Sequence, residues 1–94
     1  MNINFKRWSV VFKALSNINR LKIVQLLFGG AHLNVGDISR EIRISITATS
    51  NHLVLLQKLD VLESIGKDGH VFYFLSSDIP RDFREALDLF TKRK

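Results

Sequence analysis

Residues 35–59 read VGDISREIRISITATSNHLVLLQKL, and this stretch decides the fold. Val35, Ile38 and Ile42 recur at the three-four spacing of a short amphipathic helix, Arg43 to Ser45 break the pattern, and a longer helical run follows. Ser45 suits the N-cap of that second run, because its hydroxyl can accept a backbone N–H that the first turn leaves unpaired. Two helices joined by so brief a break form a helix-turn-helix, a unit that inserts the N-terminal end of its second helix into the DNA major groove.

At 100° per residue the second helix, Ile46 to about Asp60, divides into two sides. Ile46, Thr49, His52, Leu53, Leu56 and Asp60 form one, expected to be mostly core. Thr47, Ser50, Asn51, Val54 and Lys58 form the other, the expected groove face. Short polar side chains let a helix approach base edges: asparagine pairs bidentately with adenine, and serine and threonine bond to several bases. Lys58 suits a phosphate rather than a base. His52 matches a packed, hydrogen-bonded histidine better than a base reader, since its phase turns it inward. Arg40, Arg43 and Lys67 are candidate phosphate contacts, although each could equally be a solvated charge. Arg20 could contact phosphate or pair with an acid.

Working outward, the first helix is expected over residues 4–15, with Phe5, Trp8, Phe12 and Leu15 on one face. A second spans Ile18 to Phe28, with Leu21, Val24, Leu27 and Phe28 on one stripe and Ile23 and Leu26 opposite. Gly29-Gly30 ends it, and Ala31 to Asn34 forms a loop whose last residue caps the third helix. Beyond Leu62 the period changes. Two short β-rich runs flank Asp68-Gly69, a dipeptide suited to tight hairpins, and Val71 to Phe74 favour strand. A final helix over 79–92 places Pro80 near its first turn and aligns Phe83, Ala86, Leu87 and Phe90. The chain is therefore read as one domain, 1–94, mostly α with a small β-hairpin wing, in the order four helices, two strands, one helix.

The 94 residues include 46% hydrophobic side chains, enough for one modest core. There is no cysteine, so no disulfide, thiolate metal site or catalytic thiol is available. No signal peptide or apolar run of about 18 residues is present, and a cytoplasmic protein without membrane attachment is expected. The net charge of +5 is unevenly placed: residues 1–36 hold five basic side chains and no acid, while residues 37–94 hold nine of each sign. The basic cluster Lys92-Arg93-Lys94 reads as a frayed end. A basic surplus favours a polyanion such as DNA. No nucleophile–base pair, carboxylate pair or glycine-rich phosphate loop suggests an enzyme.

Specific residues add to this order of elements. FKALSNINRLKIVQLLFGG at 12–30 supplies Leu15, Ser16, Asn17, Arg20, Leu21, Ile23, Val24, Leu26 and Leu27; the helix-turn-helix supplies Ile44, Ser45, Thr47, Ser50, His52, Leu53 and Leu56; the wing supplies Gly69, Phe72, Tyr73 and Phe74. On these positions the chain resembles the ArsR family of winged-helix transcriptional regulators over about two thirds of its length. The Phe5, Trp8, Phe12 and Phe83, Leu87, Phe90 stripes could simply be core, but the resemblance implies a homodimer joined through its first and last helices, which gives them a role in the dimer interface, and a transcriptional repressor acting on a pseudo-palindromic operator. It does not carry over metal sensing. Where many members have a Cys-Val-Cys phrase this chain has Asn34-Val35-Gly36, and residues 79–94 hold no histidine. Neither metal nor cofactor is expected; double-stranded DNA and a second copy of the chain are the expected partners. A winged-helix module that binds protein is the alternative, kept open by the balanced charge of residues 37–60.

Overall fold

The computed structural model describes residues 2–91. Helices α1 (Phe5–Leu15) and α2 (Ile18–Leu27) lead into a two-residue strand, β1 (Leu33–Asn34). Helices α3 (Val35–Ile42) and α4 (Ile46–Lys58) follow, then strands β2 (Leu62–Lys67) and β3 (His70–Leu75), and last α5 (Arg81–Thr91). This is a winged helix, with Lys92-Arg93-Lys94 outside the described residues. The sheet is antiparallel in the order β1-β3-β2. Strand β1 is unexpected from sequence: it pairs Leu33 with Tyr73 and Asn34 with Phe72 along the free edge of β3. Two residues carry no periodicity, so only the neighbouring edge identifies them as strand.

The hairpin register runs from Leu62 opposite Leu75 to Lys67 opposite His70, leaving Asp68-Gly69 as a two-residue loop. Both loop residues have positive φ, 54° and 78°, as a type I′ turn requires. Helix α4 ends at Lys58, earlier than expected. Asp60 takes φ 64°, its N–H donates to the Gln57 carbonyl at 3.1 Å, and the Val61 N–H reaches the Leu56 carbonyl at 3.0 Å. These two bonds satisfy carbonyls that the helix leaves free, and they close it. Helix α5 starts at Arg81 and not at 79. The Pro80 carbonyl accepts from the Arg84 N–H at 2.8 Å, so the proline sits at the cap.

The core gathers Ile23, Val24 and Leu27 of α2, Ile38 and Ile42 of α3, Leu53 and Leu56 of α4, and Val61 and Leu62 at the base of the wing. The terminal helices close it with Val11, Ala14, Phe83 and Leu87. Two expectations are corrected here. Phe28 lies past the end of α2 and is 41% exposed. Phe83 and Leu87, assigned above to a dimer interface, are 0% and 1% exposed within a single chain. They fill the protomer's own core and present no surface to a partner.

On α1 the buried face carries Val11 and Ala14, roughly 100° around the helix from the Phe5, Trp8 and Phe12 stripe. Phe5 is 77% and Phe12 63% exposed. A forked ion pair holds α1 to α5: Arg7 Nε and Nη2 donate to the two Asp82 carboxylate oxygens at 2.7 and 2.9 Å. The Arg7 guanidinium carbon also lies 5.3 Å from the Phe83 ring centroid, a cation–π distance.

Candidate nucleic-acid interface

The turn between α3 and α4 spans residues 43–45 and depends on one unusual backbone. Arg43 occupies the left-handed region at φ 61°, ψ 47°, where its N–H donates to the Ser39 carbonyl at 2.8 Å and the Ile44 N–H joins it at 3.2 Å. Ser45 then caps α4 as expected, its Oγ accepting from the Ala48 N–H at 3.0 Å. Thr49, fully buried, donates its hydroxyl to the Ser45 carbonyl at 2.8 Å. The first turn of α4 is thereby fixed on both its outer and inner sides.

Burial confirms the phase of the helix. Thr49, Leu53 and Leu56 face the core, while Thr47, Asn51, Val54 and Lys58 on the opposite side are exposed and Ser50 is half-buried. Ile46 departs from expectation. It shares the inward phase by spacing alone, yet it is 57% exposed, because the first residue of α4 projects beyond the end of the packed surface. Ile46 and Ser50 line a cleft of about 540 Å³ with Asn34, Gly36 and Arg40 on one wall and the wing residues Gly69, His70 and Val71 on the other. Sequence periodicity missed Ile46. Its position at N1 immediately after a serine cap was the available signal.

The candidate phosphate contacts are unequal. Arg40 is bridged to Asp37 on its own helix, which cancels much of its charge locally. Arg43 and Lys67 are exposed, at the turn and at the wing, and neither is in an ion pair among the described residues. Gln57 is spent on the wing, donating to Ser64 at 3.0 Å.

Arg20 is in no ion pair with an acid among the described residues. Its Nε donates to the Ala14 carbonyl at 2.6 Å and its Nη2 to the Lys13 carbonyl at 3.3 Å, while Nη1 lies 3.2 Å from His52 Nδ1. His52 is accordingly a supporting residue. Burial first, and the Arg20 charge second, hold its pKa below the ordinary histidine value.

The other histidines are engaged with aromatic rings. His32 stacks on Phe74 with centroids 4.3 Å apart, and His70 tilts against Phe72 at 6.2 Å. No three His, Cys, Asp or Glu side chains converge on a metal-sized site among the described residues. The residues at the entry to α3 do not suit a thiophilic metal. Asn34 uses its side-chain oxygen to accept from the Asp37 N–H at 2.8 Å, and Gly36 offers no donor atom. No described helix is long and apolar enough to cross a membrane.

This geometry recurs in known proteins. The family described as "Bacterial regulatory protein, arsR family" matches residues 17–64, the span from the α2 cap through the first half of the wing. The chain is 46% identical over 68 residues to the cadmium resistance transcriptional regulatory protein CadC of Listeria innocua, a match covering 72% of this chain and 56% of CadC. The match thus spans only about half the length of that relative. It is 36% identical over 72 residues to the transcriptional repressor SdpR of Bacillus subtilis, covering 77% of this chain and 79% of SdpR. Among solved structures, HlyU from Vibrio cholerae superimposes with a TM-score of 0.78 at 29% identity, over 98% of this chain and 96% of that one. A capped second helix beside a hairpin wing, with a family match over residues 17–64 and a relative 36% identical over 77% of the chain, carries one conclusion: the chain belongs to the arsR family of bacterial regulatory proteins.

Proposed function

We propose that the chain is a homodimeric, sequence-specific regulator, a repressor acting in the cytoplasm without a metal, that binds a pseudo-palindromic operator through α4. The observation that carries this reading is the outward face of α4. Thr47, Asn51 and Val54 stand directly opposite the buried Thr49, Leu53 and Leu56, so insertion of this face into a groove leaves the core undisturbed. Asn51 reads adenine, Thr47 and Ser50 bond to base edges, and Ile46 and Val54 offer apolar contact to thymine methyls. Lys58, Arg43, Lys67 and, less strongly because of Asp37, Arg40 bind phosphates and set the docking register.

Dimerisation is supported by the apolar face left uncovered on α1. Phe5, Trp8 and Phe12 are exposed there with Ile3, Leu89 is 77% exposed on α5, and Phe90 is half-buried beside it. A two-fold axis between such faces would set two recognition helices about 34 Å apart, on successive major grooves of one DNA face.

Selection of bound duplexes from a random pool, followed by footprinting, tests the reading. It predicts a two-fold related site and the loss of that preference in Asn51→Ala. If no duplex is retained over random sequence, the reading is wrong. A second reading, a winged-helix module for a protein partner, is favoured by the balanced charge around α3, where Arg40 is already paired with Asp37. DNA affinity that falls steeply with added salt would argue against it.

A further inference from the structure

Arg20 is the side chain whose position the regulator function does not yet explain. A surface arginine in a DNA-binding domain would ordinarily face phosphate, yet this guanidinium makes three contacts within the chain, at two separate places. Two go to carbonyls at the C-terminal end of α1, Ala14 at 2.6 Å and Lys13 at 3.3 Å. Both lie in the last turn of α1, at the negative end of its dipole, where the Lys13 carbonyl also accepts from the Ser16 N–H at 3.4 Å and the Ser16 hydroxyl at 3.0 Å. The third goes to the ring of His52 at 3.2 Å, on the inner side of α4. Arg20 therefore links α1, which carries the exposed aromatic face, to α4, which carries the groove face.

We propose that Arg20 and His52 form a positioning clamp that sets the orientation of the recognition helix relative to α1, and that adding a proton to His52 releases it. This rests on the DNA-binding reading above. Arginine has no acceptor, so the contact is a hydrogen bond only when His52 Nδ1 carries no proton. A second proton on the ring removes the acceptor and places two cations in contact across a partly buried gap. Ring burial and the Arg20 charge both resist that proton.

The surrounding charges do not compensate. Lys13, lining the groove beside Arg20, adds the same sign from α1. On α3, Arg40 and Asp37 bridge to each other. On the wing, Glu63 accepts from Ser76 and Ser77. Among the described residues, Arg20 is the charged side chain in contact with the ring. Opening the clamp frees α4 to shift against α2 and, in a dimer, changes the spacing of the two recognition helices. Neither Arg20 nor His52 touches DNA in this scheme; both act through the placement of Ser50 and Asn51.

The test is fluorescence anisotropy on the duplex chosen from the random pool, at constant salt, from about pH 7.5 to about pH 4.5, because His52 takes up its proton below the ordinary histidine value of about 6.5. His52→Asn is the comparison, because its side-chain oxygen falls near the place of Nδ1, keeps an acceptor for Arg20 and does not titrate. Any effect of pH that the two proteins share cancels in the ratio of their affinities. The clamp predicts that wild-type affinity falls relative to His52→Asn as the pH drops, by at least about fivefold, the low end of coupling between sites. Circular dichroism confirms that both remain folded.

If His52→Asn does not fold, Arg20→Gln takes its place. With no cation facing the ring, its pH profile should lose the acid-side drop, and NMR should show His52 taking up its proton at a higher pH than in the wild type. A ratio of affinities that stays flat with pH, or identical His52 titrations with and without Arg20, overturns the clamp while leaving DNA binding intact. A pool that yields no preferred duplex removes the DNA-binding reading itself, and the clamp with it.

Discussion

Phe83→Ala separates the two roles that an aromatic stripe on a terminal helix can play. Phe83 is fully buried within one chain and lies beneath the Arg7 guanidinium, 5.3 Å from its carbon. Truncating a buried phenylalanine costs about 3–5 kcal/mol, through lost transfer energy and the cavity left behind. Loss of the cation–π contact adds about 0.5–1 kcal/mol at a partly exposed site. A domain of this length has a total stability of roughly 5–14 kcal/mol, so the substitution removes a large share of it. At about 4–8 °C per kcal/mol the melting temperature should drop by roughly 15–50 °C. Phe12→Ala is the control. That ring is 63% exposed, so the dilute protein should unfold within about 0.5 kcal/mol of wild type, while the rise of stability with concentration, if the α1 face joins two copies, should diminish. Urea unfolding followed by circular dichroism at two well-separated protein concentrations reads both effects. The single tryptophan, Trp8, reports independently on the α1 face through its emission. A Phe83→Ala protein that keeps the wild-type midpoint when dilute and loses only its concentration dependence would refute the argument from burial.

Three further outcomes follow from other parts of the fold. Asn51→Ala should weaken binding to the selected duplex by about 1–3 kcal/mol with no change in melting temperature, whereas Lys58→Ala should weaken all sequences alike and flatten the salt dependence; competition titrations against random DNA distinguish them. Arg43→Gly relieves a left-handed backbone that costs a non-glycine residue roughly 1–2 kcal/mol and loses part of this to chain entropy, so thermal melts should show equal or higher stability while anisotropy shows weaker DNA binding. Asp82 hydrogen-bonds to Arg7 and is held below its ordinary value of 3.8, so its contribution to stability is present above about pH 4 and is lost as the pH falls through the depressed folded value. The stability gap between wild type and Asp82→Asn in urea should therefore narrow on strong acidification, and a gap that is constant down to the lowest accessible pH would contradict the ion pair.

Local features of the chain were enough to place most elements. The Asn34 and Ser45 caps, the Asp68-Gly69 turn and the three-four spacing of Leu53 and Leu56 act over four residues or fewer, and hydrogen bonds of that reach do not depend on the rest of the fold. For the same reason the outward phase of Thr47, Asn51, Val54 and Lys58 was legible. Where residues depend on distant partners, local pattern had nothing to register. Arg20 meets His52 across 32 positions and Arg7 meets Asp82 across 75, so neither pair leaves a trace in spacing. Strand β1 exists only because the edge of β3 is free beside it.

The helix-turn-helix at 35–59 was thus determined by sequence, in its two caps, its turn and the face it turns outward. Tertiary structure alone decided three things: that Ile46 overhangs the packed surface, that Phe83 belongs to the core while Phe5 and Phe12 do not, and that Arg20 points inward. Periodicity specifies that a helix has an apolar side. It does not specify what that side meets, because burial is a property of two surfaces and the second is contributed by residues far along the chain.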